Sequence, residues 1–378
     1  MTVNFLFKFD YEKVHTLCMI DEVGRFIMTP VSRGLQSNMS AMSTESAFES
    51  LKGPAKQMDS FQPPWMFRNG HIQTLAGTYL FGRKANRLLL PTPTLIQEVR
   101  VDCGDLLVFH DDCPATWKPG DRVALLLHGL AGSHQSPYMK RIAAQLYQRG
   151  VRTMRLDFRG CGAGVTLARY PYHSGRSDDL MATILSIQAL CPESPLCLIG
   201  FSMGGNVALK LLGEVGNIEG VERAVAVCPP IDLSLTIDFI GSGLARVYDA
   251  YFAKTCIQNV RRRQLARPDA IIPAGWFERP PRNMREFDET FTAPVCGFTS
   301  AAHYYQSASA RQFLSEITIP TLIIAAQDDP VIPFEPFTQT DLSASTQLRA
   351  PRHGGHIGFV TARGPSWLDH QIIDWTIS

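Results

Sequence analysis

Ser202 lies in Gly200-Phe201-Ser202-Met203-Gly204-Gly205, a G-x-S-x-G pattern. A serine hydroxyl is a weak nucleophile until a neighbouring base takes its proton. Glycines on both sides suit a tight turn in which larger side chains would collide with the flanking strand and helix. An apolar run, Leu196–Phe201, precedes the serine, and a helical pattern from about Ser202 to Leu212 follows it. A helix N-terminus at that place offers free N–H groups and a positive dipole to a developing oxyanion.

Three further stretches could complete an acyl-transfer site. His128-Gly129-Leu130-Ala131-Gly132 follows the apolar run Arg122–His128. A glycine-rich turn there can aim backbone amides, and the N–H groups of Leu130 and Met203 are the expected oxyanion donors. His128 itself reads as a residue that orients the loop. Ala326-Gln327-Asp328-Asp329-Pro330 places acids at the end of the apolar run Thr321–Ala326. Asp329 is preferred as the acid that holds a base, because D-P-x-x-P follows it, and Asp328 is left to cap or support. His353-Gly354-Gly355-His356-Ile357-Gly358-Phe359 supplies the base, with His356 preferred to His353. Ser202, His356 and Asp329 thus form the expected set: nucleophile, general base and orienting carboxylate.

Composition excludes several other chemistries. Lys plus Arg is 36 and Asp plus Glu is 35, a net charge of +1 that favours neither nucleic acid nor an anionic surface. The nine cysteines are scattered and form no C-x-x-C, against a zinc ribbon, a redox pair or a disulfide-stapled fold. Free thiols point to a reducing, cytoplasmic setting, and no apolar stretch approaches the ~18 residues of a membrane span.

The elements that must carry these residues alternate. Strands are expected at Arg122–His128, Val151–Phe158, Leu196–Phe201, Ala224–Cys228, Thr321–Ala326 and near Gln347–Ala350. Helices are expected at Pro137–Gln148, Asp178–Ala189, Ser202–Leu212 and Ser366–Ile377. That rhythm predicts an α/β fold, mostly parallel, with helices on both faces. It breaks at about Ile231 and resumes at Pro320, so 231–319 is expected to be a helical cap inserted over the sheet edge. The Arg261-Arg262-Arg263 run within it reads as a solvated face rather than an anion site. Residues 1–60, rich in Ser and small residues towards their end, are expected to form a poorly ordered extension to a 61–378 domain.

The chain order Ser…Asp…His is that of α/β-hydrolases. PPWMFRNGHIQT (63–74), HGLAGSHQSPY (128–138), RLDFRGCG (155–162), YHSGRSDDL (172–180), GFSMGGN (200–206), FDETFTAP (287–294), DDPVIP (328–333) and GGHIGF (355–360) together resemble the YheT-like branch of that superfamily. The branch includes abhydrolase-domain lipases and ethyl-ester-forming acyltransferases. The resemblance spans roughly residues 61–376 and implies the α/β-hydrolase fold. It implies Ser202, Asp329 and His356 as charge-relay residues. It also implies cofactor-free hydrolysis of small apolar carboxylic esters with short or medium acyl chains. Acyl transfer to an alcohol, or binding without catalysis, stays open. Trp65, Arg68, Asn69 and His71 read as a clasp at the sheet edge, and Asp157, Arg159 and Asp178-Asp179 as loop-fixing residues. Tyr304-Tyr305 either line an acyl pocket or pack the insertion. Oligomeric state is not legible.

Overall fold

The computed structural model describes residues 7–11, 14–20, 26–30, 61–81, 94–362 and 366–378. The chain divides into two units, Met1–Asp59 and Ser60–Ser378. In the first, β1 (Phe7–Tyr11), β2 (Val14–Ile20) and β3 (Phe26–Pro30) pair in that order as an antiparallel sheet, with Leu17 opposite both Lys8 and Thr29. Most of the extension expected to be poorly ordered, including 31–60, lies outside the described residues.

The second unit is built on an eight-stranded sheet. Its strands are β4 (Leu95–Arg100), β5 (Leu106–Asp112), β6 (Val123–Leu127), β7 (Arg152–Asp157), β8 (Leu196–Phe201), β9 (Val221–Val227), β10 (Thr321–Ile324) and β11 (Thr346–Arg349). Their spatial order is β11-β10-β9-β8-β6-β7-β5-β4. From β11 to β7 neighbours run parallel, while β5 is antiparallel to both β7 and β4. The helices used below are α1 (Gly70–Leu75), α2 (Pro137–Tyr147), α3 (Ser177–Leu190), α4 (Met203–Val215), α5 (Leu233–Ile240), α6 (Arg246–Ala266), α7 (Ala301–Ala308) and α8 (Ser366–Ile377).

β6 reads VALLL and β8 reads LCLIGF, and every residue of both is buried. Continuous apolar strands are what a parallel sheet covered on both faces requires. One face packs on Leu180, Ile184 and Ile187 of α3 and Val207 and Leu211 of α4. The other packs on Met139, Ile142 and Leu146 of α2 and Leu368 and Ile372 of α8.

β4 and β5 were absent from the sequence reading. The physical reason lies in β5, whose last residues His110, Asp111 and Asp112 are all buried. Such a strand looks like a polar loop until its partners are known. Arg152 of β7 clamps Asp111 through Nε at 2.8 Å, and Arg155 Nε reaches Asp112 at 3.0 Å. The arginines make burial of those carboxylates tolerable.

Between β9 and β10 the chain is helical: α5, α6, a helical stretch over 284–296, and α7. Asn206 of α4 ties this segment to the sheet. Its amide donates to Ser174 O at 3.0 Å and Ala308 O at 2.8 Å, and its Oδ1 accepts from Ala310 N at 3.0 Å. The arginine run does not form one solvated face. Arg261 and Arg262 are exposed, but Arg263 is buried, because successive residues on a helix point about 100° apart.

Candidate active site

Parallel strands deliver their carboxyl ends to one edge, where loops can meet. β6 and β8 run in register, Leu127 opposite Gly200, so the residues just beyond each strand become neighbours. Ser202 follows β8 directly, at φ 50° and ψ −121°. Non-glycine residues rarely adopt such a φ, and the surroundings enforce it. A Cβ on Gly200 would approach Gly204 O to 2.5 Å, and one on Gly204 would approach Leu127 O and His128 O to 2.6 Å. Only glycines let the strand, turn and helix close this tightly.

Asp329 and His356 come from the loops after β10 and β11. His356 Nε2 lies 3.1 Å from Ser202 Oγ, and its Nδ1 lies 2.9 Å from Asp329 Oδ2. The other oxygen of Asp329 accepts the N–H groups of Val331 at 2.8 Å and Ile332 at 3.0 Å. The carboxylate is therefore fixed on one side by backbone and offers its other side to the imidazole. Asp328 lies apart from this line. Its Oδ1 accepts Gly355 N at 2.9 Å, and its Oδ2 sits 3.3 Å from His353 Nδ1. Asp328 and His353 pair with each other and shape the His356 loop, which gives the two less favoured sequence candidates a supporting place.

The histidine loop has a second support, which sequence reasoning missed. Thr74 Oγ1 donates to Gly70 O at 2.8 Å and accepts His356 N at 2.9 Å. Gln73 donates to Phe67 O and Val360 O and accepts Val360 N, at 2.7, 3.2 and 2.5 Å. Gly70, Gly355 and Gly358 allow this contact: a Cβ on Gly355 would meet Gly70 O at 2.3 Å, and one on Gly358 would meet Gln73 O at 2.5 Å. Asn69 caps α1, accepting from His71 and Ile72. The grip on the loop that carries His356 thus comes from Gln73 and Thr74, while Asn69, one of the four residues expected as a clasp, caps the helix that bears them. Trp65 takes no part, being 79% exposed. His71 instead faces α6, with Nδ1 3.0 Å from Tyr248 Oη.

The loop after β6 leaves one amide open. Gly129 N donates to Tyr138 Oη at 2.9 Å and Ala131 N to Tyr172 Oη at 2.7 Å. Among the described residues no acceptor takes the N–H of Leu130 between them, nor that of Met203 at the start of α4. His128 is held by Gly129 O at 2.7 Å from Nδ1 and by Phe158 N at 3.2 Å from Nε2. Accepting the Phe158 N–H requires a neutral ring, and complete burial lowers its pKa in the same direction.

Asp157 and Arg159 are buried hubs. Asp157 accepts the backbone of His134 at 2.7 Å and of Ala163 at 2.9 Å and lies within 3.2 Å of His110 and 2.7 Å of His134. Burial opposes its charge, but the hydrogen bonds from His110 and His134 outweigh that and hold its carboxyl well below the ordinary range. His110, His134 and Asp157 are spaced to hold a metal ion, as are Cys228, Asp329 and His356. Asp157 already serves backbone donors, and Asp329 already serves Val331 and Ile332. Arg159 joins Asp179 and Asp105 at 2.7 and 3.1 Å. Asp105, not singled out in the sequence, also accepts Arg169 N and Tyr170 N.

Two compartments meet at Ser202. A narrow one of about 120 Å³ runs under the inserted helices, lined by Met203, Ile237, Ile240, Phe287 and Phe291 among others. Tyr304 and Tyr305 line it and also pack α7. Tyr304 Oη accepts Ser174 N at 3.1 Å, and Tyr305 Oη donates to Asp288 Oδ2 at 2.9 Å. Burial raises Asp288 to about 7, against the hydrogen bonds of Thr292 and Tyr305. A wider compartment of about 550 Å³ opens on the other side, past His71, Tyr138, Arg141, Tyr248 and His356.

A mostly parallel sheet, a strained serine between strand and helix, and an acid and a histidine from later strand ends define a class. The chain belongs to the α/β-hydrolase fold family, whose profile matches residues 123–362. Within it the chain is YheT-like. It is 32% identical to YheT of Escherichia coli K12 over 326 residues, 83% of this chain and 92% of that one. It is 27% identical over 277 residues to the medium-chain fatty acid ethyl ester synthase/esterase 2 of Saccharomyces cerevisiae, covering 67% of this chain and 61% of the relative. An esterase of Pyrococcus furiosus shares the fold, with a TM-score of 0.52 at 19% identity over 76% of this chain and 90% of that one. Among the described residues no helix is long and apolar enough to cross a membrane.

Proposed function

We propose that this protein is a serine hydrolase that cleaves carboxylic esters of short- to medium-chain acyl groups. The carrying observation is the continuous line from Ser202 Oγ through His356 to Asp329, at 3.1 and 2.9 Å. His356 Nε2 takes the serine proton as Oγ attacks the ester carbonyl. Asp329 holds Nδ1–H and stabilises the imidazolium. The open N–H groups of Leu130 and Met203 receive the carbonyl oxygen as it becomes an oxyanion. His356 then protonates the leaving alcohol, and a water, activated the same way, releases the acid. Every catalytic group in this sequence belongs to the chain, and the ester and water are its other reactants.

Relatives support the chemistry by name. Besides the yeast ethyl ester synthase/esterase, a monoacylglycerol lipase of Saccharomyces cerevisiae is 27% identical over 64% of this chain and 56% of its own. The synthase name favours a second reading in which an alcohol replaces water on the acyl-enzyme. The site serves either acceptor. Free cysteines, with Cys161, Cys191, Cys197, Cys228 and Cys256 all buried, support a cytoplasmic setting. The test is hydrolysis of p-nitrophenyl butyrate by purified protein and by Ser202→Ala. Loss of turnover on the order of 10⁶ is expected; equal activity in the variant overturns the mechanism. Adding ethanol and analysing products separates hydrolysis from transfer.

A further inference from the structure

The two compartments share Ser202, Leu130, Phe252 and Val331, but only the wider one includes His356. On the reading above, His356 hands its proton to the departing alcohol oxygen, so the alcohol leaves on the His356 side. The narrow compartment holds Met203 as well as Leu130 and lacks His356. It is left to the acyl chain, and Ile237, Ile240, Val260, Phe287 and Phe291 give it a wall suited to methylene groups.

The wall is not apolar throughout. Arg263 lines the same compartment and is 3% exposed. Its Nη2 donates to Arg169 O at 2.9 Å, but Nε and Nη1 are buried without an acceptor. The acid in the compartment is occupied elsewhere: Asp288 accepts from Thr292 at 2.7 Å and Tyr305 at 2.9 Å. Gly160 lies against the guanidinium at φ 66°, and a Cβ there would come within 2.4 Å of Nε. The turn after β7 is thus shaped to admit the arginine. A buried guanidinium with two unmatched nitrogens is costly, and a bound carboxylate is the group that removes the cost.

We propose that the acyl compartment receives a chain with an anionic end, so that the substrate is a half-ester of a dicarboxylic acid. The ester carbonyl sits at Ser202 and the free carboxylate at Arg263. Oγ bonds to the carbonyl carbon, the carbon–oxygen bond to the alcohol breaks, and the alcohol leaves with the proton from His356. Water then cleaves the acyl-enzyme and releases the dicarboxylate. The proposal rests on the serine-hydrolase reading.

The test compares monomethyl esters of dicarboxylic acids, from succinate to sebacate, with methyl esters of monocarboxylic acids of equal length. Wild type, Arg263→Met and Arg263→Lys are assayed by released methanol. At one chain length the half-ester should exceed its neutral counterpart at least ten-fold in kcat/KM. Arg263→Met should erase that ratio, bringing the half-ester down to its neutral counterpart in the same variant, and Arg263→Lys should keep part of it. Should Arg263→Met fail to fold, competitive inhibition of wild type by suberate against octanoate reads the same preference. Absence of a preference at every length overturns the proposal, as does its survival in Arg263→Met. If neutral esters are still cleaved in a Ser202-dependent way, only this inference falls. Undiminished activity in Ser202→Ala would instead overturn the underlying mechanism.

Discussion

Replacing Asp329 with asparagine changes one oxygen for an NH₂ group and little else, so its effect isolates what the carboxylate does. Asp329 Oδ1 accepts two backbone N–H groups, from Val331 and Ile332, while Oδ2 faces His356 Nδ1 at 2.9 Å. An asparagine keeps its oxygen on the two backbone donors and turns NH₂ toward the imidazole. His356 must then accept at Nδ1 and carry its proton on Nε2, where it can no longer take one from Ser202. Flipping the amide would restore the right tautomer but leave two buried N–H groups facing a donor. Each unmatched group costs about 1–3 kcal/mol. Two cost roughly 2–6 kcal/mol, which leaves a productive fraction on the order of 10⁻¹ to 10⁻⁴ at about 1.4 kcal/mol per decade. The flipped form also lacks the charge that stabilises the imidazolium, so kcat should fall toward the 10⁴ end. The assay is kcat and KM on p-nitrophenyl butyrate, with urea unfolding to confirm stability. The expected result is a large kcat loss with KM within a few-fold. A variant that keeps kcat within ten-fold of wild type refutes the argument that Asp329 sets the tautomer of His356.

Two further outcomes follow from the same geometry. Thr74→Val removes the hydroxyl that accepts His356 N and leaves that N–H unmatched, at a cost of about 1–3 kcal/mol. As a positioning residue it should lower kcat about ten-fold with KM unchanged, Thr74→Ser should restore kcat, and an effect on KM alone would contradict the role. Asp288, raised from 3.8 to about 7 by burial, binds its proton more tightly folded than unfolded, so it costs stability as pH rises from about 4 to 7 and nothing further above that. Wild type should therefore lose on the order of 3 kcal/mol relative to Asp288→Asn between pH 5 and pH 8 in urea unfolding. Parallel curves for the two proteins would show that Asp288 ionises normally.

Much of this architecture was readable in one dimension. The parallel core was legible because strands covered on both faces must be apolar throughout, as VALLL and LCLIGF are. β4 and β5 were not, since a strand that ends in His110, Asp111 and Asp112 can be buried only with partners such as Arg152 and Arg155, which lie remote in the chain. Arg263 was hidden for a related reason. Three adjacent arginines look alike in sequence, and helix rotation alone turns one of them inward.

The amino-acid order by itself determined the chemistry available. A serine between glycines, an acid at a strand end and a histidine among glycines are each demanded by local backbone geometry, and local geometry is written in neighbouring residues. Tertiary structure alone decided that Gln73 and Thr74 hold the histidine loop and how the cavity divides around Ser202. Those choices depend on contacts between residues remote in the chain, such as Thr74 and His356. Such contacts leave no periodic trace in the sequence, because they exist only once the sheet has brought its loops to one edge.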